Sequence, residues 1–144
     1  MNINLKTIQE ASSDKTTPTL ASVQKQAGRN FISGMLKAWI IYLNDILNLK
    51  RPMTENQIVL ATGLILQEYY SLRFADLTVL FRNIITGKHG SFYESLTIDK
   101  LMKLFEEYWE ERCELSASSK NSKHIEFNQS LNELGTDRKS KRRL

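Results

Sequence analysis

Apolar residues recur at intervals of three and four from residue 20 to residue 115, the spacing of one face of an α-helix. The clearest run spans residues 30–49, where Ile32, Met35, Leu36, Trp39, Ile40, Leu43, Ile46 and Leu47 follow that period. Phe31, Ile41, Tyr42 and Leu49 widen the stripe, so the pattern predicts a helix buried round much of its circumference. Lys50 and Arg51 suit the negative end of its dipole, and Pro52 stops it. Thr54 and Gln57 then form a capping box that opens a helix over 54–70, with Ile58, Ala61, Leu64, Ile65 and Tyr69 on one side and Gly63 as its interior flaw. After a turn at 71–74, Asp76 sits in the first turn of a helix over 75–86, striped by Leu77, Leu80, Phe81, Ile84 and Ile85 and ended by Gly87. A loop covers 87–96. Thr97 caps a last helix over 98–115 through Ile98, Leu101, Leu104, Phe105, Tyr108 and Trp109. A short leading helix starts at the cap residue Thr19, places Leu20 and Val23 on one side and is interrupted by Gly28.

Outside these segments the pattern fades. Residues 12–18 are Ser-Ser-Asp-Lys-Thr-Thr-Pro, a run that cannot bury itself, and the chain turns polar again after Ser116. The expected organisation is a flexible segment at 1–18, a helical domain at 19–116 and a polar, basic tail at 117–144 that is disordered or carries a weak helix at His124 to Leu134. The fold class is all-α: a small bundle of four main helices plus a short leading one, with flexible N- and C-terminal tails.

Composition supports this and closes other routes. Six Gly and two Pro in 144 residues are too few for the reversals of an all-β sandwich. One cysteine forbids an internal disulfide, and His89 and His124 are the only imidazoles, so no metal or cofactor is expected. No apolar run approaches the roughly 20 residues of a bilayer span. No secretory signal pattern opens the chain, and a cytoplasmic location is the default expectation. The net charge is +4, and residues 120–144 hold all of the excess, with seven basic against three acidic side chains. Residues 19–119 hold eleven of each and are balanced.

Candidate chemistry is sparse. Gly87-Lys88-His89-Gly90 is a glycine-framed basic loop, but Arg82 stands where a P-loop needs its first glycine and His89 where it needs Ser or Thr. An anion-contacting loop built on Lys88 and His89, helped by Arg82, is the functional reading, and a solvated helix stop is the plain one. Phe92 and Tyr93 beside Lys88 suit base stacking or an aromatic plug. The helices at 54–70 and 75–86 have a helix-turn-helix outline, with Thr78, Arg82, Asn83 and Thr86 on the reading side and Arg73 at its mouth. Glu106, Glu107, Glu110, Glu111 and Glu114 form an acidic face, either solvated or a dock for a basic partner, this chain's own tail included. Cys113 lies among these acids, which oppose a thiolate, and no Gly-x-Ser-x-Gly occurs, so no nucleophile is visible. In the tail Arg138, Lys139, Lys141, Arg142 and Arg143 offer salt-sensitive attraction to phosphates.

Four motifs, Pro52-Met53-Thr54-x-x-Gln57-Ile58, Ala75-Asp76-Leu77-x-x-x-Phe81, Gly87-Lys88-His89-Gly90-x-x-Tyr93 and Tyr108-x-x-x-Arg112, give the chain a resemblance. Over residues 19–114 it resembles a family of small helical proteins of unknown function from gut anaerobic bacteria, their phages and mobile elements. A tyrosine commonly precedes the second glycine in that family, where this chain has His89. More loosely it looks like phage replisome accessory proteins and helicase loaders. The family has no established activity to carry over; the polar and aromatic side chains clustered in the 87–93 loop and the tail charge lead to the expectation of a non-enzymatic accessory protein acting around nucleic acid, in replication or maintenance of a mobile element. The bundle would bind a protein partner and the basic tail would add affinity for nucleic acid. Arg73, Arg82, Lys88, His89, Tyr93 and the five tail cations are the expected contacts. The alternative is a protein–protein interaction module, an adaptor or inhibitor without a nucleic-acid role, which predicts an exposed apolar patch on the bundle.

Overall fold

The computed structural model describes residues 7–90 and 94–141, of which residue 119 and residues 134–141 are described as backbone. Its elements are helices: α1 (Ile8–Ser13), α2 (Leu20–Ala27), α3 (Arg29–Ile46), α4 (Glu55–Glu68), α5 (Phe74–Ile85) and α6 (Ile98–Lys141). The all-α bundle expected from the apolar spacing is the fold observed.

The capping signals act where the sequence places them. Thr54 Oγ1 accepts the Gln57 N–H, while Gln57 Oε1 accepts the Thr54 N–H. Thr19 accepts the Ser22 N–H and Thr97 that of Lys100. The α3–α4 connection is closed by Asn44, whose side chain donates to the Met53 carbonyl and accepts the Met53 N–H. Asn48, at a φ of 48°, makes the left-handed reversal before it, a conformation that asparagine tolerates better than most residues.

The core joins all six helices. Ile32, Leu36, Ile40 and Leu43 of α3 belong to one buried cluster with Ile65 of α4, Leu77 and Leu80 of α5, and Leu101 and Phe105 of α6. Aromatic rings run through it: Trp39 meets Phe81 edge to face at 5.1 Å between centroids, Phe81 meets Phe105 likewise at 6.3 Å, and Phe105 lies tilted 5.4 Å from Tyr69. The start of α2 has free backbone donors, like any helix. Leu20 and Ala21 donate theirs to the carbonyls of Leu72 and Tyr70, at 2.9 Å each, which pins this helix to the α4–α5 turn.

Three features depart from the sequence pattern. The segment expected to be a flexible lead-in contains α1, capped by a Thr7–Glu10 box and packed on α5 and α6 through buried Ile8 and Ala11. Two apolar residues on a six-residue helix are too few to show a period. Secondly, the last helix does not stop at Leu115 but runs unbroken to Lys141, and from Ala117 to Glu133 its described side chains are all exposed. Thirdly, Phe31, Ile41 and Tyr42 do not complete a buried cylinder. They and Ile46 are 44–53% exposed, because α2, α4 and α5 cover one side of α3 and no described element covers the other.

Candidate functional site

Asp76 is the chemically densest point of the body. Its position in the first turn of α5 lets the carboxylate reach back, and Oδ2 accepts the Arg73 N–H at 2.9 Å. Oδ1 accepts the Tyr108 hydroxyl at 2.8 Å and the Arg112 Nε at 3.2 Å. Asp76 is wholly buried, while Arg112 keeps partial exposure with its guanidinium 5.5 Å from the Trp109 ring centre. A buried carboxylate needs such a set of donors, since each unmade bond costs a desolvation penalty. Burial, then the Asp76 charge, push the Tyr108 phenol well above its ordinary value. Tyr69 is also raised, by burial first and then by Glu68, Glu106 and Glu110. The arrangement fastens the start of α5 to the first third of α6. It offers no open position at which a substrate could be attacked.

The expected contact residues do not form one site. Arg73 at the start of α5 is engaged inside the molecule, its Nη1 donating to the Thr17 carbonyl at 2.7 Å. Arg82, near the other end of α5, lines a half-open groove of about 390 Å³ with Lys88, Asn83, Thr86 and Glu111, and α1 forms its opposite wall. The face of α5 that a helix-turn-helix would present to a groove is partly occupied by α1 and α6: Thr78, Arg82 and Asn83 are half-buried, Thr86 is exposed, and Thr78 and Thr86 bond back to their own helix. His89 turns away from Lys88 toward α6, with Nδ1 3.6 Å from Glu107 Oε2 and Nε2 enclosed without a hydrogen-bond partner among the described residues. Gly87 and Gly90 have φ of 81° and 89°, which ties both glycines to backbone shape. Tyr93, Arg142 and Arg143 lie outside the described residues. Arg138, Lys139 and Lys141 fall on the last turns of α6. At 1.5 Å per residue they are roughly 40 Å along the helix from Glu111 at the groove. Among the described residues no set of three or more His, Cys, Asp and Glu is placed to hold a metal ion, and no helix is long and apolar enough to cross a membrane.

The feature the sequence concealed is the outer side of α3. Phe31, Met35, Ala38, Tyr42 and Ile46 follow helical spacing along a second stripe, about a third of a turn from the buried one. Gly34 lies at its edge, exposed, and a methyl group added there would meet nothing within 4 Å. On α4, Gly63 has the same open surroundings and is flanked by exposed Val59 and Leu60. The signal was present as an apolar stripe too wide for one packing face.

No family model, curated protein or solved structure matches the chain. The resemblance drawn from its four motifs therefore rests on those residues, of which Asp76, Tyr108 and Arg112 meet in the buried cluster.

Proposed function

We propose that this protein is a non-enzymatic interaction module whose α3 receives an apolar helical segment of a partner protein. One observation carries this reading: Phe31, Ile41, Tyr42 and Ile46 are about half exposed on a helix whose other side is in the core. Large apolar side chains gathered on one exposed face mark contact surfaces more often than scattered ones do. Gly34 supports it, since an exposed helix-interior glycine costs roughly 1 kcal/mol against alanine, and among the described residues nothing lies within 4 Å of where its side chain would be. A second backbone approaching there would require it. The test is a photo-crosslinking side chain at position 42, compared in the producing cells with the same group at the exposed Lys15. One dominant adduct at 42, lost in an Ile41→Asp variant that keeps its circular dichroism, is the expected result. Equal labelling at both positions would remove α3 from the account.

A second reading keeps nucleic acid as a partner, because α6 carries Arg138, Lys139 and Lys141 clear of a charge-balanced body. Such an end supplies sequence-independent, salt-sensitive binding. The family resemblance adds its setting, replication or maintenance of a mobile element. A gel shift at low salt distinguishes the two. Retardation by the full chain and none by a 1–119 truncation supports the basic end, and no retardation by either excludes nucleic acid.

A further inference from the structure

Among the described residues, no other helix packs on the outer half of α6 closely enough to bury a side chain from Lys120 to Glu133. Isolated helices are marginal in water, and in proteins their stability comes chiefly from burying a face. Here Ile125, Phe127 and Leu131 are 50–61% exposed on a helix that continues to Lys141.

Read at alternating steps of three and four, one row of α6 keeps a constant heptad register: Glu106, Glu110, Cys113, Ala117, Lys120, His124, Phe127, Leu131, Leu134, Arg138, Lys141. It begins acidic, carries Lys120 and His124 among Ala117, Phe127, Leu131 and Leu134 in its middle, and ends basic. Glu110 and Cys113 are exposed, on the side of α6 away from Leu104, Phe105 and Tyr108, so the row is accessible beside the bundle. Glu107, Glu111 and Glu114 add negative charge along the same stretch. The basic end cannot fold back on it. The helix is continuous, and Glu110 and Lys141 lie roughly 46 Å apart along its axis. A reversed copy does bring the two together. Setting Phe127 against His124 of the other chain places Lys120 against Leu131, Ala117 against Leu134, Cys113 against Arg138 and Glu110 against Lys141. The two-fold repeats every pairing, as an isologous contact must.

We propose that two copies of this chain pair antiparallel along the outer half of α6, the basic end of each lying on the acidic stretch of the other. The pairing is independent of what α3 binds. It uses Arg138 and Lys141 on the seam and leaves Lys139 off it.

Cys113, the only cysteine of the chain, makes the register testable. In the proposed pair the two Cys113 residues are roughly 37 Å apart along the helices, whereas Cys113 faces position 138. The full-length Arg138→Cys variant should therefore oxidise to a disulfide-linked dimer on a non-reducing gel, while the unaltered chain stays single. A linked dimer of the unaltered chain would indicate parallel pairing and overturn the proposal. Sedimentation equilibrium supplies a second reading. The full chain is expected to be dimeric, Leu131→Asp monomeric, and Arg138→Glu with Lys141→Glu weaker by about tenfold or more. Adding Glu110→Lys to the charge-reversed pair should restore affinity. All these positions are exposed or at the helix end, so the bundle folds in each variant. A full chain that is monomeric at every concentration, or a dimer indifferent to these substitutions, overturns the proposal. So does a chain that is monomeric alone and binds duplex DNA through residues 138–141.

Discussion

The two halves of α6 belong to one helix and differ in everything that holds a helix in place. From Ile98 to Leu115 it buries Leu101, Leu104, Phe105 and Tyr108 in the common core and is tied to α5 through Asp76. From Ala117 to Glu133 it touches no other described element closely enough to hide a side chain. The inner half is held by its own chain. The outer half keeps the backbone pattern of a helix while offering its side chains elsewhere. Loss of an apolar period therefore marks the end of a core, which need not be the end of a helix. Residues 117–133 have no helix breaker, neither Gly nor Pro, and that weaker signal decides the backbone there.

The comparison breaks most visibly at Asp76. Replacing it with alanine leaves the Arg112 guanidinium, the Tyr108 hydroxyl and the Arg73 N–H without their acceptor in a largely buried site. Breaking a buried charged pair in this way costs about 3–5 kcal/mol. Urea unfolding followed by tryptophan fluorescence is expected to show a loss of that size. The equivalent change on the outer half, Glu126→Ala, should stay within about 0.5 kcal/mol of the parent. A small loss at Asp76 would mean that α6 is held by apolar contacts alone.

Tyr108 gives the next effect, with a pH signature. Tyr108→Phe removes one buried hydrogen bond and should cost about 1–2 kcal/mol. The phenols of Tyr108 and Tyr69 ionise less readily in the folded chain than in the unfolded one. Above about pH 10 the unfolded chain has released protons that the native chain retains, so stability falls as pH rises through that range. Below it both states hold the proton and these groups add no pH dependence. Alkaline unfolding measured against pH should show this decline, and Tyr108→Phe should make it shallower. Parallel declines in parent and variant would remove Tyr108 as its source.

The sequence made the framework legible because its signals are local. Thr54 with Gln57, Thr19, Thr97, Pro52 and Gly87 mark boundaries through atoms a few residues apart, and the structure uses them so. What stayed hidden depends on neighbours that no short window contains. Tyr108 meets Asp76 from 32 positions away, and Arg73 meets Thr17 from 56. In the sequence Arg73 is an exposed-looking cation beside a turn; in the fold it is a strut. The outer stripe of α3 was visible as residues, but whether Tyr42 is covered depends on how many helices surround α3. The groove cations behave similarly. Arg82 and Lys88 were grouped by closeness in sequence and do share a wall, while His89, next to Lys88, turns to Glu107.

Gly34 sharpens the contrast between a face that is held and one that is offered. Gly34→Ala fills open space on an exposed helix and should raise the unfolding free energy by about 1 kcal/mol. If α3 receives a partner helix there, the same change should weaken that contact while strengthening the body. A destabilised variant would instead show that Gly34 serves the fold itself.

The smallest expected effect is the most informative about the outer half of α6. Ending the chain at residue 119 removes helix without removing core, since the described side chains beyond Ala117 are exposed. In dilute solution, where any paired form has separated, the truncated and full chains should unfold within about 0.5 kcal/mol of one another. As concentration rises the two should diverge. A contact made only by the folded state stabilises by mass action, so the full chain's Tm should climb with protein concentration while the truncated chain's stays level. A constant gap at every concentration would mean that the outer half supports the bundle within one chain, and the division between the two halves of α6 would fail. Convergence on dilution and separation on concentration would show that what holds residues 117–141 lies in another molecule.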